Sequence, residues 1–161
     1  MSLHKAIENN DLKELEDILK KKTRPATALN IKNKYGLTPL HFAAFKGYLK
    51  FVEIFIRLKA KVDLLSKNNK SALHYAVENK HFEVVKYLVS NNANTNIVDS
   101  DDLTPLHYSV KCGTKEIVEY LITNSNVNPS DKLGLRPLHY ASRDNKIEFV
   151  KAMILMSMPK M

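Results

Sequence analysis

Leu103-Thr104-Pro105-Leu106-His107 decides how the chain is read, because variants of this phrase return along it. The other versions are Leu37-Thr38-Pro39-Leu40-His41, Lys70-Ser71-Ala72-Leu73-His74 and Leu135-Arg136-Pro137-Leu138-His139. The histidines at 41, 74, 107 and 139 are spaced by 33, 33 and 32 residues. Self-similarity at such a period marks units that stack because none can bury its apolar face alone.

Each residue of the phrase has a local reason. Thr38, Ser71 and Thr104 offer a hydroxyl to the free amides of a helix's first turn. Pro39 and Pro105 then sit where a missing N–H costs nothing. Arg136 breaks this pattern, so the last helix is expected to start less firmly. Small residues follow, Ala43-Ala44, Ala76-Val77, Ser109-Val110 and Ala141-Ser142, which let helices approach closely. Next comes a turn position held by Gly47, Lys80, Gly113 and Asn145. Glycine takes a positive φ freely and Asn tolerates it, whereas Lys80 is expected to be strained. A second helix is predicted from apolar residues at helical spacing: Phe51, Val52, Phe55, Ile56; Val84, Val85, Leu88, Val89; Ile117, Val118, Leu121, Ile122. Val62-Asp63, Thr95-Asn96 and Val127-Asn128 lead to the next copy.

Thr-Pro-Leu-His, then paired small residues, at a 33-residue period, resembles the ankyrin repeat, and the likeness covers essentially the whole chain. The resemblance implies an all-α repeat solenoid: antiparallel helix-turn-helix units stacked in a curve, with β-hairpin fingers between them. We divide the single domain, residues 1–161, into a cap at 1–29 and repeats at about 30–62, 63–95, 96–127 and 128–158.

The cap is read by alignment. His4 matches His74, Ala6 matches Ala76, Leu15 matches Val85 and Ile18 matches Leu88. It has no Thr-Pro and carries Glu8, Asp11, Glu14, Glu16 and Asp17, the polar outer face of a terminal unit, so Met1 is expected to lie near a true domain start. The connection after it, around Lys20–Thr27, is four residues longer than later ones and is expected to be a surface loop. At the other end, Phe149–Met158 is too apolar for a cap. Leu155 and Met156 fall where earlier copies have Ser90 and Asn91. Self-association through Leu155, Met156 and Met158, another partner surface, or a longer parent protein would each account for them.

Composition sets limits. With 44% apolar and 26% charged residues among 161, the chain is an ordinary globular one. The single cysteine, Cys112, allows no intrachain disulfide, and an intracellular setting, cytoplasmic or nuclear, is expected, with delivery into a host cell as an effector left open. No secretory h-region and no membrane-length apolar run is visible. The net charge of +8 is uneven: residues 1–19 carry −3, residues 20–70 carry +11 and residues 71–161 are neutral. Such a basic segment attracts an acidic protein surface, nucleic acid or an anionic membrane. Lysine dominates over arginine, the better phosphate fork, which makes nucleic acid the minor alternative.

No catalytic constellation emerges, and no cofactor or metal is expected. The four glycines make no phosphate loop. Histidines on successive units stand about 8–10 Å apart, too far to share a zinc; holding the hairpins by hydrogen bonds from the helix start is their expected role. His81 has no ligand companion in the sequence. Cys112 is expected to be inert.

The resemblance implies binding through finger tips and the inner face of the first helices. Carried over by position, this surface comprises Lys34, Tyr35, Leu37, Phe45 and Lys46; Lys67, Asn68, Lys70, Glu78 and Asn79; Ser100, Asp101, Leu103, Lys111 and Cys112; and Lys132, Leu133, Leu135, Arg143 and Asp144. Tyr35 and Phe45 stand out as aromatic anchors flanked by lysines. The expected function is a non-catalytic protein-interaction module whose partner carries an acidic patch. The alternatives are a targeting or substrate-recruiting fragment of a larger protein or secreted effector, and a nucleic-acid or anionic-surface binder using residues 20–70.

Overall fold

Thr38, Ser71 and Thr104 cap their helices. Each hydroxyl accepts from the N–H of the phrase's histidine, at 3.4, 3.5 and 3.5 Å. That histidine returns the bond, its Nδ1 accepting from the cap's own N–H at 3.1, 3.2 and 3.1 Å. This is a capping box with histidine in the place usual for Glu or Gln. Arg136 has no acceptor to offer, so only the returned half survives, Arg136 N–H to His139 Nδ1 at 2.9 Å.

The structure is a computed structural model that describes residues 2–21 and 25–157. Its helices run in pairs: α1 (Leu3–Glu8) with α2 (Leu12–Lys20), then, after the short α3 (Pro25–Ala28), α4 (Pro39–Lys46) with α5 (Leu49–Arg57). They continue as α6 (Ala72–Glu78) with α7 (Phe82–Ser90), α8 (Pro105–Cys112) with α9 (Lys115–Asn124), and α10 (Pro137–Arg143) with α11 (Ile147–Ser157). First helices stack in the order α1, α4, α6, α8, α10, and second helices in the order α5, α7, α9, α11. No described helix is long and apolar enough to cross a membrane.

The core is the period made solid. Leu40, Leu73 and Leu106 are at most 1% exposed, as are Phe51, Val84 and Ile117 on the second helices. Ala43, Ala44, Ala76 and Ser109 are wholly buried where first helices meet, which explains why the phrase is followed by small residues. Full burial of each leucine contributes about 1.5–3 kcal/mol before chain entropy is set against it.

The turn between paired helices is left-handed at Gly47 (φ +74°), Lys80 (φ +64°) and Asn145 (φ +54°). Gly113 departs from the expectation, with φ −73°. Space requires glycine there instead, since a Cβ would lie 2.5 Å from the Ser109 carbonyl oxygen. At Gly47 both demands coincide, because a Cβ would meet the His81 ring at 2.4 Å. Gly47→Ala is therefore expected to destabilise by more than about 1 kcal/mol in denaturant melts.

The fingers also differ from expectation. Among the described residues they form no β-strand. Each is a closed turn, Asn33 N–H to Leu37 O, Ser66 N–H to Lys70 O, Asp99 N–H to Leu103 O and Asp131 N–H to Leu135 O, at 2.9–3.0 Å. The bends place positive φ at Gly36, Asn69, Asp102 and Gly134. The backbone bonds between neighbouring fingers are single ones, Ser100 N–H to Asn68 O and Lys132 N–H to Asp101 O, both 3.1 Å. Isolated bonds of this kind do not build a ladder.

Candidate interaction surface

A chain of histidines fixes the fingers. His4, His41, His74 and His107 each donate from Nε2 to the carbonyl just before the next first helix: Leu37, Lys70, Leu103 and Leu135, at 2.9, 3.1, 3.0 and 3.2 Å. The bond from His4 supports its alignment with the later histidines. With Nδ1 accepting, the rings of the last three are neutral. Burial pushes His41 and His74 down to about 4, against a smaller upward pull from their carbonyl acceptors. Both nitrogens are thus spent on structure.

The residue after each histidine forms a second ladder, Phe42, Tyr75, Tyr108 and Tyr140. Tyr75, Tyr108 and Tyr140 set their rings nearly perpendicular to His41, His74 and His107, with centroids 5.5–5.8 Å apart. Their hydroxyls donate back to the finger bases, Tyr75 to Ser66, Tyr108 to Asp99 and Tyr140 to Asp131. Asp99 in turn accepts from the Asp101 and Leu103 N–H groups at 2.9 Å. Burial would raise the Asp99 carboxyl, but these donors outweigh it and hold it below the ordinary range. Asn33, Ser66, Asp99 and Asp131 recur at the repeat period. That spacing was the signal for this brace, and the binding-face reading passed over it.

Tips and inner face carry the rest. Tyr35 is 63% exposed, with Lys34 Nζ lying 4.9 Å from its ring centroid. Phe45 is 39% exposed, stacks on Phe42 at 6.4 Å and lies under Lys46 Nζ at 5.8 Å. A cleft of about 340 Å³ between the first two fingers gathers Lys34, Tyr35, Leu37, Lys67 and Asn68 with Ser66 and Tyr75. A second, of about 390 Å³, gathers Asp101, Leu103, Lys111, Lys132 and Leu133 with Asp131 and Tyr140. Ser100, Arg143 and Asp144 are exposed, Arg143 being paired with Asp144 at 2.9 Å, while Leu135 is half-buried.

Several expected contact residues are already engaged. Leu103 is only 7% exposed and packs inside the finger base, so it does not present its side chain to a partner. Lys70 reaches Glu78 at 2.9 Å with its own side chain 15% exposed, so the two neutralise each other mid-face. Lys67 Nζ donates to the Lys34 carbonyl at 3.0 Å, and Lys132 likewise bonds the Ser100 carbonyl; both remain exposed. Asn79 donates to its own helix at the Tyr75 carbonyl. The Cys112 thiol donates to the Tyr108 carbonyl, and burial pushes it above the ordinary thiol range, as an unreactive cysteine requires. His81, missed as a structural residue, donates to the Phe45 carbonyl of the preceding unit at 3.0 Å.

Helix pairs tied by one histidine per step and buried only against their neighbours define a repeat solenoid. The chain belongs to the ankyrin repeat family: the model described as ankyrin repeats (3 copies) matches residues 3–99 and 91–159. No curated protein matches the chain. The family's members generally act as protein-interaction modules and are typically non-catalytic.

Proposed function

We propose that this chain is a non-catalytic interaction module that holds a protein partner on its finger tips and inner face, with Tyr35 and Phe45 as anchors. The observation that carries this reading is two exposed aromatic rings, each beside an exposed lysine, at the edge of the inner-face ladder. Rings give contact area at low entropic cost, and the lysines favour an acidic patch facing them. The stack holds the surface rigid, so little ordering is lost on binding.

Pull-down followed by calorimetry with the recovered partner tests it. Tyr35→Ala with Phe45→Ala is expected to weaken binding at least about tenfold, the scale of one or two hot-spot residues. Unchanged affinity would sink the reading. The basic segment supports a second one, binding of nucleic acid or an anionic surface. Among the described cations of 20–70, Lys20, Lys50 and Lys70 pair with carboxylates, while Lys21, Lys32, Lys34, Lys46, Arg57, Lys59, Lys61 and Lys67 are exposed with no ion pair. Part of the linker, Lys22–Arg24, lies outside the described residues. A binding constant falling steeply and linearly on a log–log plot against salt would favour that second reading.

A further inference from the structure

The second finger lacks a bond that the other three make. In those three the base residue accepts from the amide two places on: Tyr35 N–H to Asn33, Asp101 N–H to Asp99 and Leu133 N–H to Asp131, each at 2.9 Å. Ser66 holds this place in the second finger with a shorter side chain. Its oxygen accepts from Lys70 N–H at 3.2 Å and from the Tyr75 hydroxyl at 3.1 Å, which fills its lone pairs. Asn68 N–H, the counterpart of Tyr35, Asp101 and Leu133 N–H, meets no acceptor among the described residues, and neither does the Ser66 O–H.

Both residues line the cleft of about 340 Å³ between the first two fingers. Its cations are unpaired too. Lys34 Nζ rests over the Tyr35 ring, and Lys67 Nζ donates once, to the Lys34 carbonyl, which leaves it further donors. No acidic side chain lines this cleft. The cleft between the third and fourth fingers also carries two lysines, Lys111 and Lys132, but sets Asp101 and Asp131 beside them. One cleft balances its own charge and the other does not.

We propose that the cleft between the first two fingers is a subsite for one carboxylate, an Asp or Glu side chain of a protein partner, an inference that rests on the finger tips being the partner surface. The carboxylate accepts from Asn68 N–H and Ser66 O–H, with Lys34 and Lys67 alongside. It restores to the second finger the acceptor that Asp99 and Asp131 supply in theirs. Bonds to an ionised acceptor are roughly twice as strong as neutral ones, and two ammonium groups that would otherwise face only water raise the charge complementarity. The chain's own groups do not fill the place. Residues 1, 22–24 and 158–161, Met158 among them, lie outside the described residues and include no acidic side chain. Leu155 and Met156, 69% and 46% exposed at the far end of the stack, are apolar.

The test follows the amide resonances of the full chain, labelled with nitrogen-15, as acetyl-Glu-Glu-Glu-amide is added, with acetyl-Gln-Gln-Gln-amide as the neutral control. The Asn68 resonance is expected to move downfield and saturate with the acidic peptide alone. Leu133 N–H, already held by Asp131, is expected to stay in place. Ser66→Asp lets the chain supply the carboxylate itself and is expected to weaken the peptide at least about tenfold. Lys34→Gln with Lys67→Gln is expected to weaken it in the same direction while leaving the finger base as it is. A response of equal affinity in the unaltered protein and in Ser66→Asp would be general attraction to lysines and overturns the proposal. So does a stronger Asn68 response to inorganic phosphate than to the peptide, which would make this a phosphate site. An Asn68 resonance that moves when the protein alone is concentrated gives the place to a second copy, and overturns it as well. With a recovered partner the two readings separate. Binding weakened by Tyr35→Ala with Phe45→Ala but not by Ser66→Asp keeps the finger-tip surface and removes the carboxylate subsite; binding weakened by neither removes the surface itself.

Discussion

Leu73→Ala is expected to cost about 2–5 kcal/mol in denaturant melts, towards the upper end of that range. Leu73 is 1% exposed and sits on α6, which packs against α4 on one side and α8 on the other. Both neighbours are held by histidine bonds, so they cannot close on the space left behind, and the residual cavity adds to the lost transfer energy. A nearest-neighbour stack makes the contrast testable. Leu138→Ala removes the same atoms from α10, which packs against α8 on the stacking side and is half open to solvent. It should cost under about 2 kcal/mol. Equal losses at the two sites would mean that α10 is as well covered in solution as α6.

The sequence carried the repeat fully and its surface in part. Capping, small-residue contacts and the apolar stripe of the second helix each depend on residues within one turn of one another. Four copies average out local exceptions such as Arg136. What escaped depends on contacts between units. Leu103 occupies the place of Leu37 and Leu135, which are half-buried, yet it is only 7% exposed, and the repeat pattern alone does not tell the three apart. Gly113 reads as a positive-φ turn glycine, but the carbonyl of Ser109 stands where any side chain would go. The β-hairpin expectation came from the resemblance, whereas these turns spend their amides on Asn33, Asp99 and Asp131 side chains and leave few for a ladder.

Acid should unfold the protein through its repeated histidine. An unfolded histidine takes up a proton near pH 6.5, while folded His41 and His74 resist it down to about 4. Between those values the unfolded state binds more protons, so stability falls as pH falls, by about 1.4 kcal/mol per pH unit for each histidine. Over the whole window that approaches about 3 kcal/mol apiece, a large share of a small domain's stability. His4 and His107, also lowered by burial, act in the same direction. Below about pH 4 the histidine effect levels off, and further loss comes from carboxylates such as Asp99, whose folded value lies below the ordinary range. His74→Gln separates the proton from the bond. Glutamine three residues after Ser71 can still return the capping bond, but it cannot titrate. The variant should be less stable at pH 7, because the bond to the Leu103 carbonyl is lost, and yet its stability should fall less steeply from pH 6.5 to 4. Urea melts at pH 7, 5.5 and 4.5 measure both. A slope equal to that of the unaltered protein would show that His74 takes its proton without leaving the fold, and would remove burial of the imidazole as the source of the acid sensitivity.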